Sequence, residues 1–255
     1  RPDAITDLLT LLQPDVIVNA AAHTAVDRAE SEPELARLIN ATSVDRLAQH
    51  AARTGAVLVH YSTDYVFDGS GDAPRDEAAP TGPLSVYGQT KLEGEDCIRA
   101  SGCQHLILRT SWVYAARGGN FARTMLRLAG ERERLTVIDD QIGAPTGADL
   151  LADATAHAVR QVALDPVLSG TYHAVAGGET SWHGYASHVI DFARRHGQAL
   201  QVTQVDAVPT TAFPTPARRP LNSRLDTRKL LAAFDLVLPP WQQGVDRMLH
   251  EVLGV

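Results

Sequence analysis

The N-terminal half of the chain alternates between segments with helical spacing and short, unbroken apolar runs. The apolar runs 15–22, 57–61 and 105–112 contain many β-branched residues, which is typical of strands buried on both faces of a parallel sheet. Apolar residues recur every three or four positions in the segments 5–12, 33–53 and 85–100. Since neighbouring parallel strands must be joined by crossovers, usually helices, this alternation predicts an α/β fold with a doubly wound parallel sheet.

The pattern is less regular after residue 115, where we expect a smaller lobe interleaved with the last strands of the sheet. Helices are predicted over 121–128, 149–162, 181–196, 226–234 and 239–253, and short strands over 135–138, 170–175 and 202–205. The sequence shows no internal repeat and no low-complexity tract, so one large domain with a second lobe suits its 255 residues.

Composition and charge exclude several classes of protein. At 44% hydrophobic and 21% charged residues the chain is too apolar to be intrinsically disordered, yet no apolar run reaches the ~18 residues of a transmembrane helix. The balance of 30 acidic against 23 basic residues argues against a nucleic-acid partner. Cys97 and Cys103 make no metal-ligand pattern, and His183 and His188 lack the spacing of a helical metal pair, so no metal site is predicted. With no basic-then-apolar leader visible, we expect a cytoplasmic protein without a membrane partner.

The spacing of Tyr87 and Lys91 is the most specific motif in the sequence. Side chains four residues apart share one face of a helix, and the pair is unlikely to arise by chance because the chain has only two lysines. An ammonium beside a phenol favours the phenolate and lowers its pKa from ~10, which makes tyrosine a usable proton donor and acceptor. The spacing alone predicts a surface pair that covers the helix equally well.

Polar and small residues follow two of the predicted strands, at the edge where open α/β sheets bind ligands. Ser62 and Thr63 follow the second strand, and a hydroxyl there can hydrogen-bond a substrate carbonyl beside the tyrosine. Ala21 and Ala22 end the first apolar run, and their small side chains permit close approach of a flat or charged ligand to the backbone. The structural alternatives are turn capping by the hydroxyls and tight helix–sheet packing by the alanines.

The sequence resembles the extended short-chain dehydrogenases/reductases, and more narrowly the dTDP-4-dehydrorhamnose reductase family, in the segments 19–27, 62–69 and 87–91. Supporting similarity lies in 108–114, 140–146 and 219–223. The resemblance spans nearly the whole chain in order. It implies hydride transfer from NADPH, or NADH, to a nucleotide-linked keto-sugar. The substrate would be dTDP-6-deoxy-L-lyxo-4-hexulose, reduced at C4 to dTDP-L-rhamnose.

The resemblance also implies roles for individual residues. Tyr87 would protonate the C4 oxygen, Thr63 would hydrogen-bond it, and Lys91 would bind the nicotinamide ribose and hold down the pKa of the tyrosine. The cofactor would contact Ala21, Ala22, Ser62, Tyr87 and Lys91. The sugar nucleotide would contact Thr24, Val26, Tyr65, Phe67, Trp112 and Arg219. Arg218 is a further candidate for the pyrophosphate, although a solvated loop arginine explains it as well. Asn40 either supports this site or is an ordinary polar residue of a helix face.

The same resemblance implies how the chain is divided. Residues 1–145, with part of 146–220, would form a Rossmann-like NAD(P)-binding domain that lacks its first strands. Residues 146–255 would form mainly a substrate-binding lobe, interleaved with the first domain. A homodimer is compatible with the sequence, and the residues leave a magnesium requirement undecided.

Other functions share parts of this pattern. A nucleotide-sugar dehydratase typically carries Asp-Glu after the threonine for acid–base elimination, whereas Asp64 is followed here by Tyr65. An epimerase could use the same tyrosine–lysine chemistry. A non-catalytic homologue, like the regulatory subunit of methionine adenosyltransferase in this superfamily, is the alternative of a different class. The set of Thr63, Tyr87 and Lys91 favours an enzyme.

The sequence begins at Arg1 and contains no G-x-G-x-x-G or G-x-x-G-x-x-G pattern. A nicotinamide enzyme of this class needs such a glycine turn to hold the pyrophosphate. We therefore expect the first strand, its glycine turn and the next elements, roughly 40–50 residues, to be missing. The strand at 16–20 would then be an open, apolar sheet edge that is prone to aggregation. We expect these 255 residues alone to fold poorly and to bind NADPH weakly.

Overall fold

Helices and strands alternate along most of the chain, and the computed structural model describes them for residues 2–255. The helices are α1 (Pro2–Leu12), α2 (Val26–Ser31), α3 (Pro33–Arg37), α4 (Ser43–Thr54), α5 (Val86–Ser101), α6 (Phe121–Glu131), α7 (Ala148–Leu164), α8 (Trp182–Arg195), α9 (Arg228–Phe234) and α10 (Trp241–Leu253). The strands are β1 (Val16–Asn19), β2 (Val57–Thr63), β3 (His105–Thr110), β4 (Val113–Tyr114), β5 (Arg134–Ile138), β6 (Ile142–Gly143), β7 (Thr146–Gly147), β8 (Gly170–His173), β9 (Thr180–Ser181) and β10 (Gln204–Val208).

The central sheet is parallel, with the strand order β1-β2-β3-β8. Asn19 lies opposite His60 and Thr63 lies opposite Thr110, so the carboxyl ends of the strands follow one edge of the sheet. β2 and β3 are almost fully buried, as expected for strands with helices on both faces. The predicted α/β class with a parallel sheet is confirmed.

Alternate strand residues face opposite helix layers. On one face, Leu58 and Ile107 pack with Val44 and Ala48 of α4. On the other face, α7 and α9 pack against the intervening residues Val57, Val59, Leu106 and Leu108. Both faces are therefore closed by apolar packing, and the polar residues that follow each strand are left at the rim of the sheet.

A second core lies between α6, α8 and α10, around Tyr185, Trp241 and Leu249. The parallel pair of β5 and β10 packs beside it. The apolar side of α6 packs on α8 rather than on the sheet, so segment 121–138 belongs to this lobe. The lobe therefore begins earlier in the sequence than the expected boundary at residue 145. In the other direction, β8 joins the central sheet from beyond that boundary. The assignment of cofactor and substrate to the two parts stays a prediction.

The predicted helix over 33–53 consists of α3, a π-helical turn (Leu38–Thr42) and α4 in direct succession. Gly55 closes it in the left-handed conformation, at φ 79°. A π-helical turn adds one residue to a single turn, which the 3.6-residue repeat does not reveal. The sequence pattern does not predict α2 either, because its six residues are too few to show a repeat.

β1 lies at one edge of the described sheet and has β2 as its hydrogen-bonded neighbour. Val18 is 51% exposed at this edge, and α1 exposes Leu8, Leu11 and Leu12. An open, apolar edge strand is a place where other chains can pair. Within residues 2–255, no helix combines the length and the apolar character that a membrane crossing requires.

Candidate active site

A cleft of about 690 Å³ lies at the carboxyl ends of β1, β2 and β3. Its wall consists of Ala20, Ala21, Ala22, Thr24, Val26, Tyr61, Ser62, Thr63, Asp64, Tyr65, Tyr87, Lys91, Thr110, Ser111, Trp112, Val113, Ala148, Leu151, Ala152 and Trp182. Of the residues expected to act in catalysis or to contact the cofactor or the sugar nucleotide, all except Phe67 and Arg219 are among them, and the further candidates Asn40 and Arg218 are not. The fold therefore brings together side chains that are distant in sequence, at the edge where the sequence predicted a ligand site.

Tyr87 enters the cleft from the first turn of α5. Ser85 caps this helix, since its hydroxyl accepts a hydrogen bond from the Gly88 N–H at 3.2 Å. Gly88 lies so close to the loop after β2 that a Cβ there would come 2.3 Å from the Tyr65 carbonyl oxygen. This close approach places the Tyr87 phenol beside the Thr63 hydroxyl, which favours the phenolate form. The two groups are placed to share one bound oxygen atom.

Lys91 lies one helical turn beyond Tyr87 and is 2% exposed. Its Nζ donates to the Tyr61 carbonyl oxygen at 2.7 Å and lies 3.0 Å from His60 Nε2. Burial lowers the pKa of Lys91 to about 8, and the charge of Glu95 opposes this shift. Because an ammonium has three hydrogens, at least one is available to a ligand in the cleft.

The pKa of Tyr87 differs from the expectation drawn from the sequence. Burial raises it to about 12, the neighbouring Thr63 hydroxyl opposes the rise, and the charge of Asp64 adds to it. Lys91 is not among the causes of this shift, because its ammonium is directed to the backbone and side chain of β2, and its role in lowering the pKa of Tyr87 stays a prediction. The i,i+4 spacing places both groups in the cleft but does not pair them.

Asp64 is a further polar residue of the cleft, and the sequence motifs assign it no role. It is 2% exposed and begins a 3₁₀ turn directly after β2. Burial raises the pKa of its carboxyl to about 6, and the neighbouring hydroxyls of Ser223 and Thr63 oppose the rise. The Thr63 hydroxyl donates to Asp64 Oδ1 at 3.1 Å and accepts from the Tyr65 N–H at 3.2 Å. The loop itself therefore orients the threonine.

Ser62 lines the cleft, but its hydroxyl is turned to a buried ion pair. It donates to Glu95 Oε1 at 2.5 Å, and Glu95 is fully buried. The same carboxylate accepts two hydrogen bonds from Arg109, at 2.9 and 2.7 Å, and one from Arg99 at 2.9 Å. These contacts tie α5 to β2 and β3 directly behind Lys91. The observed role of the Ser62 hydroxyl is thus to anchor the helix that carries Tyr87 and Lys91.

Phe67 and Arg219 lie outside the wall of the cleft. Phe67 is 1% exposed in a separate apolar cluster, with the Arg109 guanidinium 5.1 Å from its ring centroid and His173 beside it. The structure does not bring Phe67 to the cleft, because the chain turns after Tyr65 and directs this ring into the core. Arg219 pairs with Asp27 at 2.7 and 3.0 Å and contacts the Tyr65 hydroxyl, so it reaches the site through that tyrosine.

Trp182 is a cleft residue that sequence reasoning missed. Its ring stacks on Trp112 with 3.7 Å between centroids and 15° between planes, and its Nε1 donates to Gln141 Oε1 at 3.0 Å. Trp112 has a left-handed backbone, with φ 49°. A Cβ on Gly143 would come 2.9 Å from the Trp112 indole, so the glycine leaves room for this ring. The two tryptophans lie 70 positions apart in the sequence, so no local pattern reveals this contact.

Asn40 lies behind the cleft, in the π-helical turn, and is fully buried. Its Oδ1 accepts from the His23 N–H at 2.8 Å, while its Nδ2 donates to the His23 carbonyl oxygen at 3.2 Å and to Thr90 Oγ1 at 3.1 Å. Asn40 therefore holds the loop after β1 against α5. π-Helical turns are often found at functional sites, and this one presents the amide that makes the connection.

Among residues 2–255, no group of three or more histidine, cysteine, aspartate or glutamate side chains is arranged to hold a metal ion. His188 lies 2.6 Å from Asp246, and His183 Nε2 bonds the Val205 carbonyl oxygen, so these two histidines make separate contacts. The polar groups of the cleft are thus hydroxyls, one ammonium and one carboxyl.

Comparison with known proteins identifies the family. The family model described as the RmlD substrate binding domain matches residues 1–253. The dTDP-4-dehydrorhamnose reductase of Salmonella typhimurium is 60% identical over 252 residues, which are 99% of this chain and 84% of that protein. The reductase of the same name from Burkholderia thailandensis is 45% identical over 260 residues, 100% of this chain and 87% of that protein.

Solved structures agree with these relatives. The crystal structure of dTDP-4-dehydrorhamnose reductase from Bacillus anthracis in complex with NADP has a TM-score of 0.90 at 34% identity, with 98% of this chain and 85% of that chain covered. The corresponding protein from Clostridium acetobutylicum has a TM-score of 0.89 at 35% identity, with 100% and 86% covered. The predicted resemblance is confirmed: the chain belongs to the RmlD substrate-binding domain family, together with relatives named dTDP-4-dehydrorhamnose reductase.

Proposed function

We propose that this protein is an NADPH-dependent reductase of a nucleotide-linked keto-sugar. It would convert dTDP-6-deoxy-L-lyxo-4-hexulose to dTDP-L-rhamnose by reduction at C4. The observation that carries the proposal is the meeting of Thr63, Tyr87 and Lys91 in one cleft at the carboxyl edge of the sheet. The names of the relatives supply the substrate, and the NADP in the Bacillus anthracis structure supports the choice of cofactor.

The cleft fits the nicotinamide and ribose of such a cofactor. Ala20, Ala21 and Ala22 leave the end of β1 without bulky side chains, so a flat ring can approach the backbone. The buried ammonium of Lys91 has a hydrogen to donate to a ribose hydroxyl. When it is bound, the reduced nicotinamide supplies the hydride. The side chains of this chain then have to orient the carbonyl and provide the proton.

Tyr87 is suited to be the proton donor. Because its pKa of about 12 lies well above neutral pH, the phenol keeps its proton until an oxygen with developing negative charge takes it. Thr63, whose hydroxyl lies beside the phenol, would turn its hydrogen from Asp64 to the reacting oxygen. Lys91 has a pKa of about 8, so its ammonium can release a proton near neutral pH. Through the ribose hydroxyl of the bound cofactor, it could return a proton to Tyr87 after the reaction.

A steady-state assay of the protein as its gene encodes it tests this proposal. We expect oxidation of NADPH that depends on the keto-sugar nucleotide, and loss of roughly 10²–10⁴-fold in kcat for Tyr87→Phe, since general acid groups contribute this much. Tyr172→Phe is the matched control, because the Tyr172 hydroxyl bonds the Leu168 carbonyl oxygen away from the cleft.

Two results would contradict the proposal. Turnover of Tyr87→Phe within about threefold of the parent would remove the phenol from the proton-transfer step. Binding of the nucleotide sugar with no oxidation of NADPH would instead identify a non-catalytic homologue. The cytoplasmic location and the homodimer expected from the sequence stay predictions.

A further inference from the structure

His60 connects Lys91 to the end of β1, although no sequence motif points to it. It is fully buried on β2, with Nε2 3.0 Å from Lys91 Nζ and Nδ1 3.0 Å from Asn19 Nδ2. Asn19 Oδ1 in turn accepts a hydrogen bond from the Ala21 N–H at 3.2 Å. A chain of hydrogen bonds therefore runs from Lys91 through one imidazole and one amide to the wall of the cleft.

Few hydrogens are available for this series of hydrogen bonds from Lys91 to Ala21. Burial and the charge of Lys91 hold the pKa of His60 well below its usual value, so the ring is neutral, with one N–H donor and one acceptor nitrogen. Because the Asn19 amide oxygen accepts a hydrogen bond from the Ala21 N–H, the Asn19 NH₂ group faces His60 Nδ1 and donates to it. The ring hydrogen is then on Nε2 and points at Lys91. Only an uncharged lysine amine can accept it.

A charged Lys91 requires the opposite arrangement. Its ammonium donates to His60 Nε2, and the ring hydrogen moves to Nδ1. The Asn19 amide then has to turn by about 180° to offer its oxygen, because the two amide atoms are interchangeable in shape. This turn withdraws the oxygen from the Ala21 N–H, which is left free to donate to another acceptor.

The charged groups around Lys91 allow both states. Glu95 favours the ammonium, but its carboxylate is shared with Arg109 of β3 and Arg99 of its own helix. Burial opposes the ammonium and brings its pKa to about 8. The remaining side chains of the cleft wall that carry an acidic hydrogen are Asp64 and the tyrosines Tyr61, Tyr65 and Tyr87. Lys91 can therefore be charged or neutral near neutral pH.

We propose that His60 is a positioning residue that couples the protonation of Lys91 to the Asn19 amide and the Ala21 N–H. When Lys91 is charged, the Ala21 N–H becomes a donor for an acceptor atom of the bound nicotinamide nucleotide. When Lys91 is neutral, the Ala21 N–H donates to Asn19 Oδ1 instead. The inference rests on the proposed function for the identity of the ligand, but the coupling within the protein does not.

Nitrogen-15 NMR of the histidine side chains tests the coupling without any turnover. The two imidazole nitrogens have different shifts in the two tautomers, so a pH titration follows the position of the His60 hydrogen. We expect the Nδ1–H tautomer below the midpoint of the Lys91 titration and the Nε2–H tautomer above it, with the change absent in Lys91→Met. Asn19→Asp, which offers only acceptor oxygens, should hold the Nδ1–H tautomer at every pH in that range.

One tautomer throughout the titration of Lys91 would overturn the inference, as would an unchanged transition in Lys91→Met. Kinetics give a second readout. His60→Phe should raise the KM for NADPH about tenfold, as expected for one lost hydrogen bond, and alter kcat by less than about threefold. His173→Phe, on the buried strand β8, is the matched control for packing. Activity of the parent protein separates failure of this inference from failure of the proposed function.

Discussion

At the scale of single residues, burial controls the chemistry of the cleft. It raises the pKa of Tyr87 to about 12, so the phenol stays protonated. It also lowers the pKa of Lys91 to about 8 and raises that of Asp64 to about 6. Hydrogen bonds and charges modify each shift without reversing it. The site therefore combines a phenol that holds its proton at neutral pH, an ammonium that loses its proton more readily than usual, and a carboxyl that titrates close to physiological pH.

The buried Asp64 makes stability depend on pH. Because the pKa of Asp64 is about 6 against an ordinary 3.8, folding favours its protonated form. Its stabilising effect is complete below about pH 3.8 and is lost as the pH rises through about 6. Asp64→Asn should raise the free energy of unfolding by ~1–3 kcal/mol at pH 8 and change it little at pH 4.

Denaturant unfolding of Asp64→Asn at both pH values measures this effect. Asp7→Asn, on the exposed side of α1, is the control and should change stability little at either pH. Equal effects of Asp64→Asn at pH 4 and pH 8 would show that packing, and not the buried charge, is responsible.

At the scale of elements, α5 is the part that positions the catalytic side chains. Its inner face carries Glu95, whose ion pair with Arg109 of β3 is buried on both sides. Glu95→Gln should lower the free energy of unfolding by ~3–5 kcal/mol, because it leaves the arginine charge buried without a partner. Glu93 lies on the same helix and makes a more exposed pair with Arg37 of α3, so Glu93→Gln should lower the free energy of unfolding by at most ~1 kcal/mol. Similar losses of stability in the two variants would contradict this ranking.

Two helical glycines allow a second comparison at this scale. A Cβ on Gly94 would come 2.2 Å from the Asn40 carbonyl oxygen, whereas one on Gly130 would meet nothing within 4 Å. Gly94→Ala should therefore destabilise the protein by ~1–3 kcal/mol, because α5 has to move away from the π-helical turn. Gly130→Ala should be neutral or stabilise by up to ~1 kcal/mol. Thermal unfolding of both variants measures the difference, and a stable Gly94→Ala protein would show that the contact is not tight.

The elements were largely predictable because their signals are local. Strands 57–61 and 105–112 are continuous apolar runs, and the helix over 85–100 begins at a capping serine and ends at a glycine. The π-helical turn, the direction of Phe67 and the histidine behind Lys91 depend on contacts between distant segments. The spacing of Tyr87 and Lys91 predicted their common cleft, but the pKa of the phenol depends on burial that spacing does not report.

At the scale of the whole molecule, the cleft lies where the sheet meets the second lobe. Trp112 follows β3, and Trp182 begins α8 of the second lobe, so their stacked rings join the two parts. Trp182→Ala should raise the KM for the nucleotide sugar about tenfold through loss of this aromatic surface. Phe213→Ala, at an exposed ring outside the cleft wall, is the control and should leave KM unchanged. An unchanged KM in Trp182→Ala would place the substrate elsewhere.

The central claim is that hydride passes to C4 of the sugar in this cleft. The most direct measurement incubates the protein as its gene encodes it with the keto-sugar nucleotide and NADPH that carries deuterium at both hydrogens of nicotinamide C4, and locates the label by NMR and mass spectrometry. We predict deuterium at C4 of the 6-deoxy sugar in the parent protein, formed far more slowly by Tyr87→Phe. A product without deuterium, or one labelled at another carbon, would contradict the account.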